Sequence, residues 1–139
     1  MRFFVHGSGG GHAASNYTTL NLIRRIHVGL PVRELKDLQT TLNVPMDKLV
    51  PMLGISKATF HRRQAQGKLD SAESDRVVRF ARLMGKAVEV LETEESARQW
   101  LTLPQFGLGG EIPLEYADTE VGAREVEDLL NRIEYGVYS

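Results

Sequence analysis

The amino-acid sequence predicts an all-α protein, and three observations lead there. Apolar residues recur at intervals of three and four along most of the chain, the period of a helix face. No convincing run alternates apolar and polar residues as a half-buried strand does. Helix punctuation falls where the periodic stretches begin and end: Pro31 opens one, Ser56 precedes another, and Gly136 follows the last.

Residues 1–16 contain "GSGGGH" and few apolar residues, and read as a flexible arm. From Tyr17, "YTTLNLIRRIHVG" sets Leu20, Ile23 and Ile26 at helical spacing. "PVRELKDLQTTLN" carries a stripe of Leu35, Leu38 and Leu42. "MDKLVPMLG" is expected to be a short helix that accommodates Pro51 near its start. "SKATFHRRQAQ" follows its serine cap, and Asp70 and Ser71 lead into "AESDRVVRFARLMGKAVEVLE". There Val77, Phe80, Ala81, Met84, Val88 and Leu91 form the stripe, and Gly85 is a place to kink or split it. "TEESARQWLTLP" is a helix without a true capping box, and its Trp100 is expected in the core. "QFGLGGEIPLEYA" reads as a loop. "DTEVGAREVEDLLNRIEYG" is a last amphipathic helix, with Val121, Val126, Leu129, Leu130 and Ile133 on its apolar face. The expected domains are 17–70 and 71–139, after the arm at 1–16.

Composition sets bounds. The 139 residues suit one domain or two small ones, and 42% hydrophobic with 25% charged is the balance of a globular protein. No apolar run reaches a bilayer span, no signal peptide is visible, and the expected location is a reducing cytoplasm without membrane association. The chain has no cysteine, which excludes disulfides and thiolate metal sites. The net charge of −1 hides a gradient: 10 Lys and Arg against 4 Asp and Glu in residues 1–70, and 2 against 8 in residues 111–139. A basic front and an acidic back point to different partners for the two ends.

The stretch "MDKLVPMLGISKATFHRRQAQGKL" has the grammar of a helix-turn-helix. Leu49 and Leu53 belong on the inner face of the first helix, Gly54 in the turn, Ile55 as a plug, and Phe60 pointing back to the core. Ser56, Lys57, Thr59, His61 and Arg62 then face outward, where a helix in the major groove meets phosphates and base edges. Arg63, Arg24, Arg25 and Lys68 are candidates for further phosphate contacts. DNA readers of this kind commonly work as dimers, with the apolar face of 76–91 as a candidate dimer surface.

Enzyme chemistry finds little support. His6, His12, His27 and His61 include no i, i+4 metal pair, and Ser56, Ser71, Ser74 and Ser96 lack a nucleophile-elbow setting. Gly7 and Gly9, like Gly107 and Gly109, fail the dinucleotide fingerprint. Glu111, Glu115, Asp118 and Glu120 are read as solvent-facing or helix N-terminal charges.

"GISKATFHRRQAQGKLD", "SDRVVRFARLMGKAVEVL" and "ARQWLTLPQFGLGGEIPLEYADTEVGAREVEDLLNRIEYGVYS" together resemble the Xre/MbcA/ParS antitoxins, over roughly residues 17–139. The C-terminal block is the most specific part. The resemblance implies an Xre-like helix-turn-helix domain that binds operator DNA, followed by a small helical toxin-binding domain. It implies a RES-domain toxin as partner, which consumes NAD⁺ or transfers ADP-ribose, so no cofactor is assigned to this chain. The family's C-terminal segment covers the toxin's cleft, which here implicates Leu130, Ile133, Glu134, Tyr135, Gly136, Val137, Tyr138 and Ser139, with Tyr135, Val137 and Tyr138 as anchors. An acidic back would complement a cleft shaped for an anionic dinucleotide. A homodimer in the bacterial cytoplasm completes the expectation. The alternative is a stand-alone repressor whose C-terminal domain dimerises or senses a ligand.

Overall fold

A computed structural model of the chain describes residues 11–136, with side chains from 19 onward. The described residues form eight α-helices and no strand. In order they are α1 (Gly11–Val28), α2 (Val32–Leu42), α3 (Met46–Met52), α4 (Lys57–Gln66), α5 (Ser71–Leu91), α6 (Glu94–Thr102), α7 (Pro113–Tyr116) and α8 (Glu120–Glu134). A single 3-10 turn, Phe106–Leu108, lies between α6 and α7. None of these helices is long and apolar enough to cross a membrane.

The chain divides into two compact units, Met1–Val78 and Arg79–Ser139. The expected boundary before Ser71 is therefore displaced into α5. The reason is visible in the first turns of that helix. Leu30 donates its backbone N–H to Ser74 Oγ at 2.8 Å, and Arg76 donates to the Leu53 carbonyl at 3.2 Å. Both contacts hold the start of α5 to the first unit. Gly85 does not split α5, which runs unbroken from Ser71 to Leu91.

In the first unit, α1 begins at Gly11, earlier than the sequence suggested. Ala13 and Ala14 favour helix intrinsically, which the glycine count obscured. The stripe expected on α1 is not core: Leu20 and Ile23 are 55% and 49% exposed. The core is carried instead by Leu30, Leu35, Leu38, Leu42, Leu49, Leu53 and Leu69, all essentially fully buried. α2 starts after an extended Pro31 and ends at Asn43, whose left-handed φ of 54° turns the chain and whose N–H returns to Gln39 O. A short antiparallel bridge pairs Pro31 with Lys68, with Leu69 N–H donating to Leu30 O at 2.9 Å.

The second unit is built on the face of α5 formed by Phe80, Leu83, Met84 and Ala87, all buried. That same burial leaves Val88 and Leu91, both half-buried, as the accessible part of the apolar face of 76–91. α7 packs on both α6 and α8. α8 starts at a Thr119 cap, whose Oγ1 accepts from Gly122 N–H at 3.0 Å, and buries Ala123, Val126, Leu129 and Leu130. Two expectations change here. Trp100 is half-buried rather than core, and Val121 is 74% exposed, because it sits in the first turn of α8 on the side away from Ala123 and Val126. Arg79 and Arg82 hold Glu120 at 3.4 Å, Arg82 holds Glu127 at 3.0 Å, and Lys86 reaches Glu134 at 3.9 Å.

One charge in the first unit is costly. Glu34 is fully buried in α2, pairs with Arg25 at 3.2 Å through Oε2, and its Oε1 has no hydrogen-bond partner among the described residues. Burial pushes its pKa above the usual carboxylate range, and the attraction of Arg25 only partly offsets this. The folded state therefore holds its proton more tightly than the unfolded one. Stability from this group is greatest below its ordinary pKa of 4.5 and falls as pH rises through the folded value. The Glu34→Gln variant should melt with the parent at pH 4 and above it at pH 7. Thermal melts across that range check this, and a parent that is the more stable at pH 7 would contradict it.

Candidate functional site

Two surfaces bring the sequence-predicted residues together, one in each unit. The first is the α3–α4 pair. Its turn forms as the residue types require. Gly54 takes φ 73°, where a side chain would strain the backbone. Ile55 is 4% exposed and plugs the turn, between Leu53 buried before it and Ser56 after it. Ser56 Oγ accepts from Thr59 N–H at 3.1 Å and donates to Thr59 Oγ1 at 2.9 Å, so both hydroxyls belong to the helix cap. Pro51 lies in the last turn of α3 rather than near its start. The carbonyl of Asp47 loses the N–H it would otherwise accept, and Asp47 is exposed to water.

α4 buries none of its residues fully. Phe60, expected in the core, is half-buried and lines an open groove of about 420 Å³ with Met46, Val50, Pro51, Lys57 and His61. Lys57, His61 and Arg62 are exposed, as the helix-turn-helix register requires, while Thr59 is half-buried beside its cap. A capped helix that offers a lysine, a histidine and an arginine to solvent has the chemistry of a groove-reading element.

Arg63 departs from its expected role. Its Nε donates to Glu73 Oε1 at 2.7 Å and its Nη2 to Glu73 Oε2 at 3.2 Å, a paired geometry on a carboxylate. Nη2 also reaches Asp70 at 3.1 Å, and Nη1 reaches Gln66 at 3.2 Å. The Glu73 carboxylate raises the Arg63 pKa further above its usual value, so the guanidinium stays charged. Glu73 is itself the far half of a capping box: its N–H donates to Asp70 Oδ1 at 2.7 Å, and its Oε1 accepts from Asp70 N–H at 2.9 Å. Arg63 thus ties α4 to the start of α5, and its donors are turned inward. Arg25, another phosphate candidate, is engaged by Glu34, while Arg24 and Lys68 are exposed. The aspartate–glutamate pair three residues apart was the signal that sequence reading missed.

The second surface belongs to the end of α8 and the loop before α7. Leu130 is fully buried within its own unit, so it presents nothing to a partner and is corrected to a core residue. Ile133 is half-buried, Glu134 is exposed, and Tyr135 is 76% exposed. Gly136 takes φ 70° after the helix, the stop expected of it. Val137, Tyr138 and Ser139 lie outside the described residues. The loop adds residues that sequence reading did not assign to the site: Phe106 is 94% exposed and Leu103 is 54% exposed. Their signal was an aromatic residue set among loop glycines, in "PQFGLGG".

Comparison with known proteins covers both surfaces. Residues 22–82 match the antitoxin Xre-like helix-turn-helix domain. Residues 86–136 match the antitoxin Xre/MbcA/ParS C-terminal toxin-binding domain. The chain is 33% identical over 120 residues to Antitoxin Xre of Yersinia enterocolitica, covering 85% of this chain and 81% of that one. It is 34% identical over 131 residues to Antitoxin Xre of Photorhabdus laumondii, covering 93% and 87%. It is 25% identical over 138 residues to the Prs ADP-ribosylating antitoxin of a Sphingobium strain, covering 92% and 85%.

The split between Arg62 and Arg63 is open to test. Arg63→Ala leaves the Glu73 carboxylate, which is only 6% exposed, without its partner, and an orphaned buried charge is destabilising. It should lower the melting temperature by several degrees, whereas Arg62→Ala, at an exposed position, should leave it within a degree or so. Equal melting of the two variants would remove the structural role given to Arg63.

Proposed function

Starting from the Xre/MbcA/ParS antitoxin family, to which this chain belongs, we propose that it neutralises a RES-type toxin with its second unit and represses its own operon with the first. The observation that carries the reading is the pairing, in one chain, of a capped and solvent-facing α4 with a unit matched to a toxin-binding domain. On this reading the setting is the bacterial cytoplasm and the toxin is one that consumes NAD⁺ or transfers ADP-ribose. The name of the Sphingobium relative, which joins antitoxin to ADP-ribosylation, supports that class.

DNA contact is assigned to Lys57, His61 and Arg62, with Ser56 and Thr59 as the cap that aims them. Phosphate contacts hold the unit in place and one or two base contacts from α4 give sequence preference. A two-fold dimer reading paired half-sites belongs to the same proposal. Arg62→Ala should weaken operator binding by about 1–3 kcal/mol if it meets a base edge. The triple variant Lys57→Ala, His61→Ala, Arg62→Ala should bind operator far more weakly and still neutralise toxin. Operator titrations at two salt concentrations check this, and unchanged affinity would refute the assignment.

Toxin blockade is assigned to Ile133, Glu134, Tyr135, Gly136, Val137, Tyr138 and Ser139. A chain ending after Ile133 retains the buried Leu129 and Leu130, so it should fold and bind operator. It should fail to inhibit a RES-type toxin that the full chain inhibits. Full inhibition by that shortened chain, measured as protection of cells and as residual NAD⁺ turnover in vitro, would assign the blockade elsewhere.

A further inference from the structure

Phe106 is the most exposed large apolar residue among those described, at 94%. Exposed single residues are common, but this one sits in backbone that is fastened at many points. Gln105 N–H donates to Glu111 O at 3.0 Å, and Gly110 N–H returns to Gln105 O at 2.9 Å. The Gln105 side chain donates to Trp100 O at 2.9 Å and to Leu103 O at 3.2 Å. Leu108 N–H donates to Gln105 O at 3.0 Å, and its side chain is 7% exposed. Gly107 lies so close to α8 that an added Cβ would come within 2.8 Å of Leu129 Cδ1. The loop is therefore held by its backbone, by Gln105, by Leu108 and by Gly107. Phe106 contributes only its carbonyl, which accepts from Gly109 N–H at 3.0 Å, and its side chain takes no part in that holding.

A phenyl ring that contributes nothing to its own fold, carried on a preformed turn, has the properties of a binding anchor. Its binding area is large, only two side-chain torsions are lost on docking, and the backbone has no further ordering to undergo. Leu103, 54% exposed, adds apolar surface from the same segment. Exposed Glu111, joined to Gln105 by the bridge, adds a carboxylate beside the turn.

Resting on the reading of the second unit as toxin-binding, we propose that Phe106 is a second anchor on the toxin, inserting into an apolar pocket with a basic rim, apart from the cleft that the C-terminal segment enters. The residue lies inside the span 86–136 that matches the toxin-binding domain. A second copy of this chain is the poorer occupant, because two-fold pairing about Phe106 would set Glu111 against its own like charge.

The test uses the full chain and a catalytically inactivated form of a RES-type toxin that co-purifies with it. Phe106→Ala should weaken toxin binding at least tenfold by calorimetry, and Phe106→Leu should fall between that and the parent. Both should keep the parent's melting temperature and operator affinity. The same variants in the chain ending after Ile133 should remove whatever toxin binding that chain keeps. Toxin binding by Phe106→Ala equal to the parent's overturns the proposal. So does a large loss of melting temperature, which would make Phe106 structural, or a change from dimer to monomer at unchanged toxin affinity, which would give the surface to self-association. A parent chain that binds no toxin defeats the proposed function itself, and this inference with it.

Discussion

The first unit turns on the Glu73 carboxylate. It closes the capping box with Asp70, satisfies a backbone donor at the N-terminus of α5, and accepts two N–H groups from Arg63 on α4. A partly buried ion pair of this kind is weak support for net stability, because desolvation offsets much of the attraction. What it supplies is orientation. α4 buries none of its own residues fully, so apolar packing alone would leave its rotation poorly defined. The fixed fork of one arginine on one carboxylate gives the helix a defined register against α5. Lys57, His61 and Arg62 then face solvent as a consequence of where Arg63 is held.

The helix-turn-helix was legible because several constraints coincide over a few residues. Gly54, Ile55 and Ser56 each have a single structural use there, and each is in that use. Periodicity gave the helices and most of the leucine core. It failed where apolar spacing and burial part company. Leu20 and Ile23 have the spacing of a buried stripe but remain half-exposed, and the spacing of Val121 says nothing of which side of α8 finds a neighbour. Side-chain partners were less legible still. "HRRQ" offers two adjacent arginines, and only the position of Glu73 decides that the second turns inward. The domain boundary was missed for a related reason: polar Ser74 and Arg76 bind backbone of the first unit, and a reading based on apolar residues does not see them.

The charge gradient also looks different once partners are known. Part of the acidic excess of residues 111–139 is already answered inside the second unit, by Arg79, Arg82 and Lys86 on α5. Those pairs are exposed to varying degrees and are worth little individually. They do reduce the charge available to a distant partner. The exposed carboxylates without an ion pair among the described residues include Glu111, Glu115, Glu125 and Asp128. Steering of a basic partner would depend on these rather than on the whole segment, and would weaken with salt.

A helix cannot offer one face twice. The inner face of α8 is spent on Ala123, Val126, Leu129 and Leu130, which close the core of the second unit. What the fold leaves over is the last turn at Ile133, the cap at Tyr135, and the loop that presents Leu103 and Phe106, and the proposed toxin contacts are drawn from these. The two sets meet at Leu129, against which Gly107 is packed, so the core residue that seats α8 also seats the loop. The exposed residues depend on the buried ones for position, and the buried ones gain nothing in return. Such an arrangement lets the exposed aromatic residues be exchanged with little effect on folding, while a change at Leu129 would disturb the fold and the proposed docking surface together.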